Sequence, residues 1–377
     1  MKYFPACIAL LVCASLNAAA ATLHVGSDKD IRTVAEAAMR TQPGDTVLID
    51  PGEYRNDYAI WRTDNLTIRG LGNGAHFSSQ GRIPNGKAIW VTAGKGIVIE
   101  NVEFSGARVS AGNGAGIRQE SGTLTLRNTY FHDNQFGIMS SNKGDVELTI
   151  EDSRFERHQR NNGIAHSIYA GSIGRFTLTG TSVTDTAGGH HVKSRARLNT
   201  IAYNRLADGP NMETSRIIDL SNCGLSIVMG NEFFQKRKTR NINAIGYGPE
   251  KCQGRSAREK QLFVVNNTLV NESFNGVFVR NHSDGEVTLH NNLLLGPGRL
   301  LTGGGTEDNN VRMDLTQRRP GSWIPYDTIR IRDTAIDVTG PDAEQLQPRH
   351  EFRAPAGTVD RQVSGTPDIG AREVPRN

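Results

Sequence analysis

The chain has 377 residues, 37% of them hydrophobic and 22% charged, and carries a formal charge of +4 at pH 7. No charge block is long enough to act as a nucleic-acid-binding tail, and the densest basic run, "FFQKRKTR" at 233–240, has no RNA-binding or helix-turn-helix context, so it reads as a solvated loop and no nucleic-acid partner is expected. No apolar stretch beyond the N-terminus is long enough to span a bilayer, so no membrane partner is expected either.

Lys2 is followed by the apolar run "FPACIALLVCASL" and then by "NAAAAT". This pattern is that of a secretory signal peptide over residues 1–21, cleaved after Ala20 or Ala21, and it predicts an exported protein, periplasmic or extracellular. Cys7 and Cys13 leave with it. In an oxidising compartment the remaining Cys223 and Cys252 are available for one disulfide, two isolated thiols being the alternative.

In "DKDIRTVAEAAMRTQPGDTVLIDPGEY", Ile31, Val34, Ala35 and Ala38 share one face of a short helix that Pro43 and Gly44 stop, and the alternating "TVLI" is expected to begin the first strand. From there to about residue 296 the chain repeats itself. Segments such as "IVIENVEF", "LTLRNTYF" and "LTIEDSRF" end at 104, 131, 155, 183, 206, 233, 270 and 294. A second motif interleaves with them, each copy holding an inward aliphatic residue: Ile117, Ile138, Ile168, Val192, Ile218, Ile245 and Val277. Each unit has at least two short strands turned by Gly, Asn and Asp, and no unit can bury its own apolar face, so the units must stack. The expected fold is an all-β, right-handed parallel β-helix over 22–296 with a short N-terminal capping helix. Residues 297–377 are read as an irregular C-terminal extension packed on it.

Alternation places the residue after each inward aliphatic on the exterior, giving a ladder of Arg118, Met139, Tyr169, Lys193, Asp219, Gly246 and Phe278. Neighbouring coils of such a helix lie ~4.8 Å apart, so Tyr169, Lys193 and Asp219 should be within reach of one another. His191 and Arg195 are expected to point outward on the strand of Lys193. His166, His190 and Arg216 begin their strands. Tyr, His, Lys, Arg and Asp on one rigid face suit cleavage of a uronic-acid polysaccharide by β-elimination. That reaction removes the C5 proton, neutralises the carboxylate and protonates the O4 leaving group. His190, His191 and Arg195 beside Lys193 are expected to disfavour its charged form and so make it a base. The candidate catalytic residues are Lys193, Arg195, His191, Tyr169 and Arg216, and the candidate substrate-binding residues are His190, His166, Asp219 and Arg118.

Two segments carry a resemblance. The stretch Pro43–Tyr54, a "PGDTVxIxPGxY" pattern after a short helix, and the closing "TPDIGAREV" resemble the corresponding parts of the pectate-lyase-like β-helix superfamily. "KSRARLNTIAYNRL" at 193–206 is similar to the Lys-Ser segment of the β-helix lyases that include chondroitinase B and alginate lyases. That resemblance implies Lys193 as the base, an arginine about one coil later as the acid, and calcium at the carboxylate. Here the strand around Asp219 to Asn222 has no arginine, and Arg216 is only near it. No acidic and amide ligand set for calcium is evident, so no cofactor is expected, with calcium left open. Arg195 or Arg216 then takes the neutralising role, and Tyr169 or a histidine donates the proton. A monomer acting on an acidic polysaccharide is expected. The alternatives are an inverting glycoside hydrolase drawing on Asp185, Asp208 or Asp219, a uronan C5-epimerase, and a non-catalytic glycan-binding or surface protein. No "HExxH", P-loop, "GxSxG" or paired "CxxC" is present.

Overall fold

The computed structural model describes residues 19–160, 163–210 and 212–376. The expected signal peptide lies for the most part outside the described residues. No described helix is long and apolar enough to cross a membrane.

Three long parallel sheets, of 12, 11 and 10 strands, run the length of the molecule. Each coil gives one strand to each sheet in turn and then climbs one place, so that Ile97–Glu100, Val102–Ser105 and Ala115–Gln119 are followed one level up by Thr123–Arg127, Tyr130–His132 and Phe136–Ser140. The result is a right-handed parallel β-helix. Its first strand is Thr22–Val25, which pairs with Thr46–Ile49, so "TVLI" forms the second strand and not the first. Between them sits the helix Val34–Arg40, whose N-cap Thr33 accepts a hydrogen bond from the Glu36 N–H. Because the helix begins only at Val34, the residue buried one turn on is Ala37, with Ile31 leading in from the preceding loop; Ala35 is half-buried.

The interior is made of columns of equivalent residues. Phe77, Phe104, Phe131 and Phe155 stack with ring centroids 5.9, 5.0 and 4.7 Å apart, and all are fully buried. Each such ring contributes about 1.5–3 kcal/mol of hydrophobic stabilisation. The same column continues through Val183, Leu206 and Phe233 to Leu269, one residue before the Val270 expected from the repeat. Val270 instead packs outward, beneath the C-terminal segment. Beside this column Asn204, Asn231, Asn267 and Asn292 form a buried amide ladder, each Nδ2 donating to the next Oδ1 at 2.9–3.0 Å. The ladder satisfies polar groups that could not otherwise be buried.

The turn from the first sheet to the second is made by a left-handed residue in each coil from Ile97 onward. Asn101, Asn128, Asp152, Asn266 and Asn291 supply it with φ of 47–55°, and Gly180 and Gly230 do so at no steric cost. Tyr203 takes the position in one coil, and its hydroxyl accepts a hydrogen bond from the Arg349 N–H of the C-terminal segment. A further coil with strands Arg299–Thr302, Thr306–Asp308 and Val311–Met313 follows residue 296. The segment after it returns along the outside of the second sheet. Ile331, Ala335, Ile369 and Val374 cover Val270, Leu293 and Leu295 there, and Arg372 reaches back to Glu232.

Candidate functional site

The exterior of the third sheet carries the residues of interest, and its geometry starts at a corner. Where each strand begins, two successive residues face inward: Ser167 and Ile168, His191 and Val192, Ile217 and Ile218, Phe278 and Val279 are all buried at 0–1% exposure. Strict alternation resumes only after the second. Tyr169, Lys193 and Asp219 are therefore direct register partners on the outer face, as their spacing predicts.

The same corner overturns two expectations. His191 points into the helix, fully buried, with Nδ1 2.8 Å from Thr186 Oγ1 and Nε2 3.3 Å from Asp208 Oδ1 without hydrogen-bond geometry. It is an interior wall residue and cannot meet a substrate. In the later coil Val279, not Val277, pairs with Ile245, so Phe278 is a core residue and Arg280 takes the outward place beside Gly246.

Around Lys193 the side chains form an ion-pair set. Its Nζ lies 3.5 Å from Asp219 Oδ2 and 3.6 Å from Glu250 Oε1. Arg195 grips Glu250 with both Nε and Nη2, at 2.6 and 2.5 Å, and its Nη1 donates to the Tyr169 hydroxyl. Arg216 Nη1 donates to Asp219 Oδ1 at 3.1 Å, and Ser221 Oγ donates to Oδ2 at 2.8 Å. The groups directly against Lys193 are thus carboxylates, with Arg195, Arg216 and His190 on the far side of the same two carboxylates. Asp219 is 2% exposed. Burial pushes its carboxyl upward most strongly, yet the hydrogen bond from His190 and the charges of His190, Arg216 and Lys193 together hold it well below the usual range. So placed, Asp219 is held by Arg216, Lys193, His190 and Ser221 together. Arg195, through its hydrogen bonds, holds Glu250 below the carboxylate norm.

His166 and His190 stack at 5.0 Å beside this set. His166 Nδ1 accepts the His190 N–H, and His190 Nδ1 accepts the Arg216 N–H, both at 3.0 Å. Each ring, when neutral, therefore carries its proton on Nε2. Burial pushes both imidazoles down, His166 far down, and the His190 charge adds to the effect on His166. Nε2 of His190 faces Asp219 Oδ2 at 3.3 Å. Gly246 leaves the space the Arg216 guanidinium occupies, since a Cβ there would lie 2.8 Å from Arg216 Nε.

On either side the sheet changes character. Three coils before Lys193 stands Arg118, with Met139 and Phe136 forming an apolar patch against Tyr169. Three coils after it stands Arg280, in a shallow polar cleft shared with Arg299 and His282. The strip from Arg118 to Arg280 spans roughly 29 Å at ~4.8 Å per coil. Glu250 and Arg280 were missed by the sequence reading. Glu250 arrives on a loop held by the Cys223–Cys252 disulfide, whose Cα atoms are 5.1 Å apart, and no periodicity announces it. Calcium takes six to eight oxygens, and among the described residues the two carboxylates here are engaged by Arg195, Arg216, His190 and Ser221.

No protein-family model matches the chain, and no curated protein does. Among solved structures it is similar to pectate lyase Pel9A, with TM-score 0.59 and 15% identity over 94% of this chain and 97% of that one. It is also similar to an alginate lyase from Paenibacillus sp. str. FPU-7, with TM-score 0.56 and 14% identity over 76% and 97% of the two chains. A GH136 lacto-N-biosidase from Eubacterium ramulus has TM-score 0.50 and 12% identity over 77% and 67%. These likenesses show the fold, a right-handed parallel β-helix, and the fold alone.

Proposed function

We propose that this protein is an exported polysaccharide lyase that cleaves a uronic-acid-containing polymer by β-elimination. The observation that carries the reading is the outward set Tyr169, Lys193, Arg195 and Arg216. It holds three cations against two carboxylates at the centre of a strip that ends in further arginines. Such a strip attracts and aligns a polyanion.

In this reading the uronate carboxylate displaces Glu250 and takes its place between Lys193 and Arg195. The two cations then stabilise the enolate-like charge that builds on the carboxylate as the C5 proton leaves. Tyr169 takes that proton as the phenolate, having first given its own hydroxyl proton to solvent, and the Arg195 guanidinium donates a hydrogen bond to the same oxygen. The C5–H electron pair becomes the C4–C5 double bond, the C4–O4 bond breaks, and O4 receives the proton that Tyr169 took. His166, with Nε2–H free of the backbone contact, lies beside Tyr169 at 5.8 Å between centroids and can hydrogen-bond the departing oxygen. Lys193 thus exchanges the role of base for that of cation, because its partners are carboxylates. Elimination is favoured over the hydrolytic reading because the three aspartates weighed for hydrolysis, Asp185, Asp208 and Asp219, are all buried.

The test is to incubate the mature protein with a panel of uronic-acid polysaccharides, with and without a chelator, and follow the ultraviolet absorbance of the unsaturated uronate. A rise that Tyr169→Phe and Lys193→Ala remove supports the lyase. No rise on any polymer, with reducing ends also unchanged, would leave a glycan-binding protein.

A further inference from the structure

A second cluster lies on the outer face of the second sheet, away from the ladder of Lys193. His76 and Glu103 are register partners on adjacent strands, and His132 stands on the next strand up, opposite Ser105. His132 Nε2 is 2.7 Å from Glu103 Oε1, and His76 Nε2 is 3.6 Å from the same oxygen. All three ligand atoms lie within 4.8 Å of one another, and all three residues are partly exposed.

The geometry points to a binding site for a divalent first-row transition ion, held by His76 Nε2, Glu103 Oε1 and His132 Nε2. Two imidazole nitrogens and one carboxylate favour zinc or its neighbours over calcium or magnesium, which take oxygen ligands. The surroundings are those of a built site. His132 Nδ1 is 2.6 Å from Asp133 Oδ2, and Asp133 is in turn held by Arg157 Nε and Nη2 at 2.9–3.3 Å. A carboxylate on the far nitrogen fixes the ring and turns Nε2 toward the metal. The His132 ring is further braced by Tyr130, 4.6 Å away, whose hydroxyl donates to Glu156. An ion takes the place of the hydrogen bonds that now join His132 to Glu103 and His76 to Ser105. Three protein ligands leave a fourth position on the solvent side for water or an incoming donor group.

Tag-free protein stripped with a chelator is titrated with zinc by calorimetry, and with cobalt to read the ligand-field absorption. One ion per chain is expected. His76→Ala and Glu103→Gln should each weaken binding by at least ~100-fold, and Asp133→Asn by about 10–100-fold through the ring it orients. Lys193→Ala should bind as the wild type does, and circular dichroism of each variant confirms the fold. Binding well below one equivalent, or binding that His76→Ala and Glu103→Gln both leave unchanged, overturns the assignment.

Discussion

If Lys193 serves as a cation and Tyr169 as the proton carrier, replacing each conservatively should separate the two roles. Lys193→Arg keeps a positive charge between Asp219 and Glu250, whose oxygens lie 3.5 and 3.6 Å from the present ammonium. The longer guanidinium reaches the same two oxygens, so kcat should fall no more than ~10-fold, or about 1.4 kcal/mol. Lys193→Ala removes one of the charges that stabilise the developing enolate and should cost ~10²–10³ in kcat, about 2.7–4 kcal/mol. It should fold, because Asp219 keeps its hydrogen bonds from Arg216 and Ser221. Tyr169→Phe removes the proton-transfer oxygen while keeping the ring against Phe136 and Met139, and should cost ~10²–10⁴. Initial rates from unsaturated-uronate absorbance, measured across pH, give all three. Lys193→Arg as inactive as Lys193→Ala, with Tyr169→Phe near wild type, would refute the assignment and return proton abstraction to the lysine.

Glu250→Gln should release Arg195 and Lys193 for a substrate carboxylate. A charge-assisted pair of this kind contributes about 1.5–3 kcal/mol, discounted to ~1 kcal/mol because Glu250 is 39% exposed, so KM for an acidic polymer should drop roughly fivefold with kcat little changed. Gly246→Ala, which places a methyl 2.8 Å from Arg216 Nε, should push that guanidinium aside and raise KM, while thermal melting stays close to wild type. Replacing Cys223 and Cys252 together by Ser opens a loop of 29-residue separation and should cost about 3–4 kcal/mol in denaturant unfolding, with the Glu250 loop loosened as well. His158 is wholly buried with both ring nitrogens unpaired, and burial lowers it to about 3. A folded value below the unfolded one means that the unfolded chain binds the extra proton first, so stability is full above about 6.5 and is lost as pH falls toward 3. His158→Leu should remove on the order of several kcal/mol of that acid-induced loss, seen as a smaller drop of denaturant midpoint on acidification.

The β-helix was legible because its coils repeat closely enough to align, and the Tyr169–Lys193–Asp219 ladder followed from period-two alternation alone. What alternation could not reveal is the corner. Two inward residues in succession turned His191 into the interior, and the same geometry made Val279 rather than Val277 the counterpart of Ile245. Anchoring the last coil on Val279 would have brought Arg280 into the strip. Glu250 was beyond reach for another reason: a loop residue follows no period, and it meets Arg195 across a separation of 55 residues. His76, Glu103 and His132 stayed hidden because a lone histidine in a strand carries no signal until the coils are stacked.

The columns that build the core also divide the molecule into exchangeable parts. Duplication of one coil before Met139, where the Phe column runs, or after Glu250, where the Asn ladder runs, would find matching core and left-handed positions beside it, and would lengthen the strip by ~4.8 Å without parting Tyr169, Lys193 and Asp219. Insertion between Tyr169 and Asp219 would part the three residues that must act together. Three coils are therefore indivisible, while the number flanking them is open to change; if the protein is the lyase proposed, the length of polymer it grips can evolve independently of the bond it cuts.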